Sequence, residues 1–585
     1  MGLFSKAAPE GEIATAVSDI ADEKGRTHKD PAEISEEPDL SSGGDENVQD
    51  GVQKIEAAAQ VWSTRSMVGA YAIIWLIYFI ISIEEVVTGA LTPFVTSSFQ
   101  RHSLTAATGI MSSLFGGLTK LPLAKILDTW GRPQGLLLML FIWVIGFIMM
   151  AACNNVETYA AAQVFSSIGA QGVSYCITIF IADTTSLINR PLMLAFATSP
   201  YIATTFAGGP VADSVIARIG WRWGFGIWSI VTPVVVGPLG ALFIWNHVKA
   251  RKQGLIASKS GTLTLSAVKK YCIDVDIIGI LILATGMALF LLSFSIYSYQ
   301  DEQWRAPIII AFIIVGGILI ITFVLYEAYL APVKFIPVNL LMDRTVFFAG
   351  MMFFFVFANS SIWGSYFSSM LLVVWNTGIT KATYINNIYR VGSCFAALVL
   401  AYFTRLTGRF KWTASLYALP LTLLGVGLMI QFRQPDQNIG YIVMTQIFVA
   451  FAGGPMVVAG EMAMMAPSDH QHVAVIMAIL DLFSSIGSAI GSTIAAAIWT
   501  GTFKKNLIKN LPAGTPVDAI YGDIYTQLGY PVGTQIRHGI AIAYGESQRL
   551  MLITSVCFIV LGWGCTWMWR DIKLRGLKQT RGNVI

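Results

Sequence analysis

Charge is scarce in this sequence. Asp, Glu, Lys and Arg make up only 12% of its 585 residues, against roughly 25% in soluble domains. That deficit excludes a large soluble core and points to a polytopic membrane protein. Cysteine is thin as well. The 6 cysteines show no Cys-x-x-Cys or Cys/His spacing, which argues against a disulfide framework and a zinc site. No Walker motif, nucleophile elbow or metal-ligand helix occurs, so neither an enzyme nor ATP-driven transport is expected. Strand-like alternation is absent too, which excludes a barrel. The one histidine cluster, Asp469–His472, reads as a solvated loop. No cofactor, resident metal or nucleic-acid partner is expected.

The charge that exists is uneven. Residues 1–66 hold 14 of the 34 acidic side chains, with few aromatics. This segment has too little apolar surface to fold and reads as a disordered acidic tail. It has no apolar core near its start, so it is not a signal peptide. After it come about 14 apolar runs long enough to cross a bilayer. They lie near 68–91, 104–124, 135–153, 158–182, 193–216, 222–245 and 276–296, then 307–328, 345–372, 380–402, 412–431, 440–461, 473–499 and 547–569. Connections are short except 246–275 and 500–546. The fold class is therefore an all-α polytopic membrane protein in lipid. With the N-terminus inside, inner connections and the basic tail at 570–585 carry roughly 19 Lys/Arg and short outer loops roughly 6. Both termini are then cytoplasmic and the 500–546 loop faces outward.

An internal repeat organises the runs. "AKILDTWGR" (Ala124–Arg132) follows the second run and "AYFTRLTGR" (Ala401–Arg409) the tenth. Both share Ala-x3-[Asp/Arg]-x2-Gly-Arg after an even-numbered run. If 67–245 and 345–569 are two six-helix halves, 276–328 is an inserted helix pair and 246–275 a cytoplasmic linker. The first copy resembles the loop motif of the major facilitator superfamily, in which Asp128, Gly131 and Arg132 match. Arg405, Gly408 and Arg409 are their counterparts in the second copy. The resemblance implies a major facilitator fold whose Asp–Arg cluster latches the two bundles. "AGGP" (Ala207–Pro210) is similar to that superfamily's Gly-Pro motif.

The stretch "LGYPVGTQIRHGIAIAYGESQR" (Leu528–Arg549), with "KLPLAKILDTWGRP" (Lys120–Pro133), resembles the fungal siderophore-iron transporters of the 14-helix branch. Tyr530, Pro531, Gly533, Arg537, Tyr544, Gln548 and Arg549 carry that likeness. From Thr534, Ile536, Ile540, Ala543 and Tyr544 recur at helical spacing, with Arg537 and His538 elsewhere. That predicts a short amphipathic helix, either a lid for a bulky ligand or a surface-lying segment.

Ionisable groups inside membrane runs are costly and mark function. Glu84 and Glu85 are adjacent, about 100° apart on a helix, so only one faces a central cavity fully. Desolvation favours the protonated form of a carboxylate, which suits a proton carrier; placement near the outer interface is the alternative. Asp213, Arg390, Asp481 and Glu461 are further proton-coupling candidates, and Lys120 is a further charge within a run. Asn359, Trp363, Tyr366, Phe367, Asn386, Asn387 and Tyr389 cluster in the ninth and tenth runs. They suit a pocket for a bulky polar ligand, or an interfacial aromatic belt.

The resemblance implies import of ferric hydroxamate siderophores with protons, at the plasma membrane or in endosomal vesicles. The siderophore would supply iron's hard oxygen ligands itself. A 14-helix drug or glutathione:proton exchanger shares the scaffold, and a non-transporting siderophore sensor is a third reading.

Overall fold

The structure is a computed structural model describing residues 62–98, 105–253, 276–297, 302–332, 341–468, 473–522 and 524–574, with a few isolated positions between. Most of the acidic tail, most of the 246–275 linker, Asp469–His472 and the basic tail beyond 574 lie outside the described residues. So do the side chains of Asp128 and Asp213.

Every described regular element is helical. Without water, each backbone N–H and C=O must find its partner within its own segment, and a helix does this at every position. The first group is α1 (Thr64–Ser98), α2 (Thr105–Leu118), α3 (Lys120–Thr129), α4 (Arg132–Ala152), α5 (Val156–Thr184), α6 (Arg190–Thr198), α7 (Tyr201–Arg218) and α8 (Gly220–Lys252). A hairpin of α9 (Ile277–Ile296) and α10 (Pro307–Tyr329) follows. The second group is α11 (Arg344–Gly364), α12 (Phe367–Val374), α13 (Gly378–Thr407), α14 (Leu419–Phe432), α15 (Ile439–Met465), α16 (Val473–Asn510), α17 (Val517–Gly522), α18 (Ile524–Gly529) and α19 (Gln535–Trp567).

Among the described residues, 11 helical stretches are long and apolar enough to cross a membrane. The other expected runs are helical but interrupted or polar. The second run breaks between α2 and α3, where Pro122 has no N–H to give Leu118. The fifth breaks between α6 and α7 at Pro200, and Ser199 Oγ donates to the freed Phe196 carbonyl at 2.7 Å. The tenth, α13, is one helix whose polar face lowers its hydropathy.

The two groups pack mainly within themselves. In the first, α4 lies on α5 and α8, and α1 on α7 and α8; in the second, α11 lies on α16 and α19, and α13 on α15. They meet along two seams: α6 and α7 against α13, and α2 and α3 against α16. The α9–α10 hairpin packs on the second seam through α2 and α16.

The end of the chain differs from expectation. The run foreseen at 473–499 stays helical to Asn510, and the one foreseen at 547–569 begins at Gln535. No separate amphipathic helix starts at Thr534; those turns are the first part of α19. At 38 residues, α16 is about 57 Å long, well beyond the roughly 30 Å hydrocarbon core. Polar contacts hold the projecting ends together, Lys509 to Glu546 at 2.7 Å and Asn506 to Ser547 at 2.9 Å. Hydropathy reports only the length in lipid, whereas helical hydrogen bonding continues past it.

Candidate functional site

Both repeat copies use their glycine in the same way. Gly131 has φ +112° and Gly408 φ +70°, left-handed values that a side chain resists. Each therefore makes a sharp turn between consecutive helices. Among the described residues, Arg132 and Arg409 each form an ion pair within their own group. Arg132 pairs with Asp183 at the end of α5, Nε to Oδ2 at 3.0 Å, within the first group. Arg409 reaches Asp571 at 3.3 Å within the second, and Arg405 is exposed. Nearby bridges between the groups are made instead by Arg190, whose Nη1 lies 3.6 Å from Met465 Sδ, and by Tyr175, whose hydroxyl donates to the Ala474 carbonyl.

Among the described residues, two ion pairs cross the seams, one on each. On the first, Arg390 Nη2 of α13 donates to Glu85 Oε2 of α1 at 2.6 Å. The guanidinium also lies 4.9 Å from the Tyr201 ring centre. On the second, Lys120 Nζ of α3 lies 3.1 Å from Asp481 Oδ2 of α16, their side chains 13% and 28% exposed. Asp481→Asn would leave a largely buried ammonium without its counter-ion, a change that costs about 3–5 kcal/mol when a buried pair is broken. Substrate flux should fall at least ~tenfold, and the uncharged pair Lys120→Met with Asp481→Leu should recover part of it. Equal flux in Asp481→Asn and the native chain, at matched surface amounts, would contradict this.

Between the groups lies a cavity of about 430 Å³, within the usual range for small-molecule sites. Both groups build its wall. Tyr78, Thr178 and Tyr201 come from the first; Tyr389, Arg390, Ser393, Cys394 and Glu461 from the second. Gly453 and Gly454 form the close approach of α15 to α13. A Cβ on Gly454 would stand 1.8 Å from the Ser393 carbonyl oxygen, and one on Gly453 2.5 Å from the Tyr389 hydroxyl. Among the described residues, no group of three or more His, Cys, Asp or Glu is placed to hold a metal ion.

The structure redistributes the expected site residues. Glu84 and Glu85 do diverge. Glu84 is buried and receives Thr88 Oγ1 at 3.3 Å, whereas Glu85 is half exposed and paired with Arg390. Neither is among the cavity-lining residues. Of the seven aromatic and amide candidates, only Tyr389 lines the cavity. Asn359 Oδ1 accepts from Ser555 at 2.6 Å in the contact between α11 and α19. The Trp363 carbonyl accepts from the buried Arg433 at 2.7 Å, and that guanidinium lies over Phe367. Tyr366, at φ +58° between α11 and α12, stacks on Trp499 at 4.2 Å. Asn386 donates to Ser368, and Asn387 to the Thr383 carbonyl at 2.9 Å. Asp213 and Asp128 are on α7 and α3 with their side chains outside the described residues.

Sequence reasoning missed Tyr78, Tyr201, Ser393 and Cys394, and placed no cavity role on Glu461. One signal was present. Arg390, Ser393, Cys394 and Ala397 fall at i, i+3, i+4 and i+7, a single helix face.

The loop residues serve as anchors. Arg537, expected on the polar face, is buried at 4% exposure. Its guanidinium donates to the carbonyls of Val373 at 2.9 Å, of Leu372, and of Gln527 and Tyr530. It thus ties the end of α12 to the loop. Tyr544 is buried with its hydroxyl on Gln527 Oε1 at 2.8 Å, and Gln548 is buried beside the Ser365 carbonyl. Pro531 and Arg549 are exposed, and Gly533 turns the chain at φ +91°.

Two helix groups, a cavity at their junction and ion pairs across both seams are the arrangement of a membrane transporter. Residues 74–390 match the Major Facilitator Superfamily. The arrangement is similar to a bacterial homologue of the human lysosomal transporter Spinster in an inward-facing, unoccupied conformation. There the TM-score is 0.51 at 15% identity, covering 87% of this chain and 98% of that one. The chain is 51% identical over 581 residues to "MFS siderochrome iron transporter 1" of Ajellomyces capsulatus, covering 99% of this chain and 98% of the relative. It is 38% identical to "Siderophore iron transporter mirB" of Emericella nidulans, over 92% and 90% of the two chains. It is 33% identical to "Siderophore iron transporter 1" of Schizosaccharomyces pombe, over 94% and 89%. The chain belongs to the fungal siderophore-iron transporter family of the Major Facilitator Superfamily.

Proposed function

We propose that this chain imports ferric siderophores of the hydroxamate class by proton symport, its two halves rocking about the central cavity. The observation that carries the substrate is the 51% identity, over nearly the whole chain, with a siderochrome iron transporter. The two seam-crossing ion pairs support the rocking. Each joins one half to the other, so each must loosen for its seam to open. A proton reaching Glu85 would weaken its pair with Arg390 and link protonation to that opening. Glu84, one position away and buried, is the second carrier candidate; Asp213 and Asp481 follow. In this reading the chain crosses the membrane 14 times, as the sequence pattern expects. Both termini are cytoplasmic, the α16–α19 connection faces outward, and the plasma membrane is its site.

Iron is cargo here. The siderophore carries it in an oxygen shell, and the protein recognises that organic shell. The hydroxyls of Tyr78, Thr178, Tyr389 and Ser393 in the wall offer hydrogen bonds to it.

The test is uptake of siderophore-bound radioactive iron by yeast lacking its own siderophore uptake. Uptake should appear with the full chain, collapse with an uncoupler, and fall at least ~tenfold in Glu84→Gln or Glu85→Gln. Uptake indifferent to the uncoupler would remove the proton from the mechanism. Normal uptake in both variants would remove these carboxylates from it.

A further inference from the structure

We propose that Glu461 sets the charge class of ferric siderophore that the cavity accepts, favouring cationic and neutral complexes over anionic ones. This rests on the transport reading above.

The charge balance of the cavity carries the inference. Among the described residues its wall contains a single basic side chain, Arg390, and a single carboxylate, Glu461. Arg390 is already engaged, by Glu85 at 2.6 Å and by the face of Tyr201 at 4.9 Å. Lys120 and Asp481, on the other seam, satisfy each other. Glu461 makes no ion pair among the described residues. With the paired charges cancelled, a ligand ammonium brought beside Glu461 would stabilise its carboxylate form, whereas an anionic ligand would find no free counter-charge there.

Position makes that charge count. Glu461 follows Gly454 by two helical turns and shares its cavity-facing side. Gly454 abuts Ser393, three residues beyond Arg390 on α13. Both α13 and α15 run in the same direction, because one crossing separates them. Glu461 and Arg390 are therefore about 15 Å apart along the axis, at opposite ends of the space a ligand would occupy. A ligand docked near Arg390 still presents its far end to Glu461.

The ligand chemistry completes the argument. Three hydroxamate anions neutralise ferric iron, so such a complex is neutral unless a side group adds charge. A free ammonium makes it cationic. A ferric tricatecholate is strongly anionic. The hydroxyls in the wall are uncharged and bond to oxygen or nitrogen in any of these. An unpaired carboxyl away from bulk water can ionise against a cation and so hold it, and it offers a desolvated anion no compensating charge.

The experiment compares uptake of radioactive iron as three complexes: a neutral trihydroxamate, a trihydroxamate bearing one free ammonium, and a tricatecholate. Yeast lacking its own siderophore uptake expresses the full chain, Glu461→Gln or Glu461→Asp. The native chain should favour the ammonium complex over the neutral one and exclude the tricatecholate. Glu461→Gln should shrink the ratio of apparent KM values between neutral and ammonium complexes by about tenfold. Glu461→Asp should largely keep it. The ratio is insensitive to how much protein reaches the membrane. If Glu461→Gln does not transport, the same ratio is read in membranes as protection of Cys394, another cavity residue, from a thiol reagent, with Cys394 as sole cysteine. A ratio unchanged in Glu461→Gln overturns the proposal, as does a native chain that takes tricatecholate equally well. A native chain that takes up none of the three overturns the transport reading itself, a distinct outcome.

Discussion

Arg390→Met should nearly abolish siderophore-iron uptake. Among the described residues, the guanidinium is the one group that joins the seam, the cavity and a candidate proton carrier. It holds Glu85 of the opposite half at 2.6 Å, lies over Tyr201 of that half, and forms part of the cavity wall. Truncating one partner of a buried, hydrogen-bonded charge pair costs 2–5 kcal/mol, partly because the remaining charge is stranded. Here the side chains are 30% and 44% exposed, so solvent screens some of this and the low end applies. A loss of about 2 kcal/mol corresponds to roughly thirtyfold in uptake. Reversing the pair, Glu85→Arg with Arg390→Glu, keeps the seam contact while moving the charges. If the pair itself matters, the reversed protein should exceed both single variants. Normal uptake by Arg390→Met at native surface amount would sink the assignment.

The second large effect is steric. Gly454→Val should leave little folded transporter in the membrane. The Cβ of any side chain there would stand 1.8 Å from the Ser393 carbonyl oxygen and 2.9 Å from Ala397 Cβ. The nearest obstacle is backbone, which no rotamer change can move aside. Hence α13 and α15 must part by more than an ångström along the cavity wall. Close backbone approach through small residues is a main source of helix association in lipid, where no hydrophobic drive exists between helices. Overpacking a well-filled contact typically costs 1–3 kcal/mol, and separating two backbones belongs at or above the upper end. Gly427 on α14 is the matched control, since a Cβ there meets nothing within 4 Å. Gly427→Ala should express and transport like the native chain. Surface protein quantified beside uptake separates the two: both should fall in Gly454→Val and neither in Gly427→Ala. Wild-type amounts of active Gly454→Val would show that the close approach is not required.

Several features were legible along the chain because they are local. Long apolar runs became helices, since in lipid the backbone has no other way to pair its polar groups. Gly131 and Gly408 were legible as turns because a repeated Gly-Arg after an even-numbered run needs a tight reversal. The family likeness in Leu528–Arg549 was equally readable, and the chain is 51% and 38% identical to two relatives named as siderochrome or siderophore iron transporters. Other features depend on which helix lies beside which. Asn359, Asn386 and Asn387 looked like ligand-binding amides, yet each is engaged by a neighbouring side chain or its own helix. Arg537 looked solvent-facing because a guanidinium in an amphipathic pattern usually is. It is buried because four backbone carbonyls, two of them from α12, converge on it.

Composition, run length and the repeated loop motif by themselves determined the membrane class and the helical architecture, and the resemblance in Leu528–Arg549 and Lys120–Pro133 pointed to the family. These follow from one-dimensional properties: hydropathy, spacing and turn chemistry. Only the tertiary structure decided that Glu85 meets Arg390, that Lys120 meets Asp481, and that Glu461 faces a cavity with no counter-ion among the described residues. Residues 305 and 361 positions apart pair only when the two halves close on each other, and no periodicity within either half encodes that meeting.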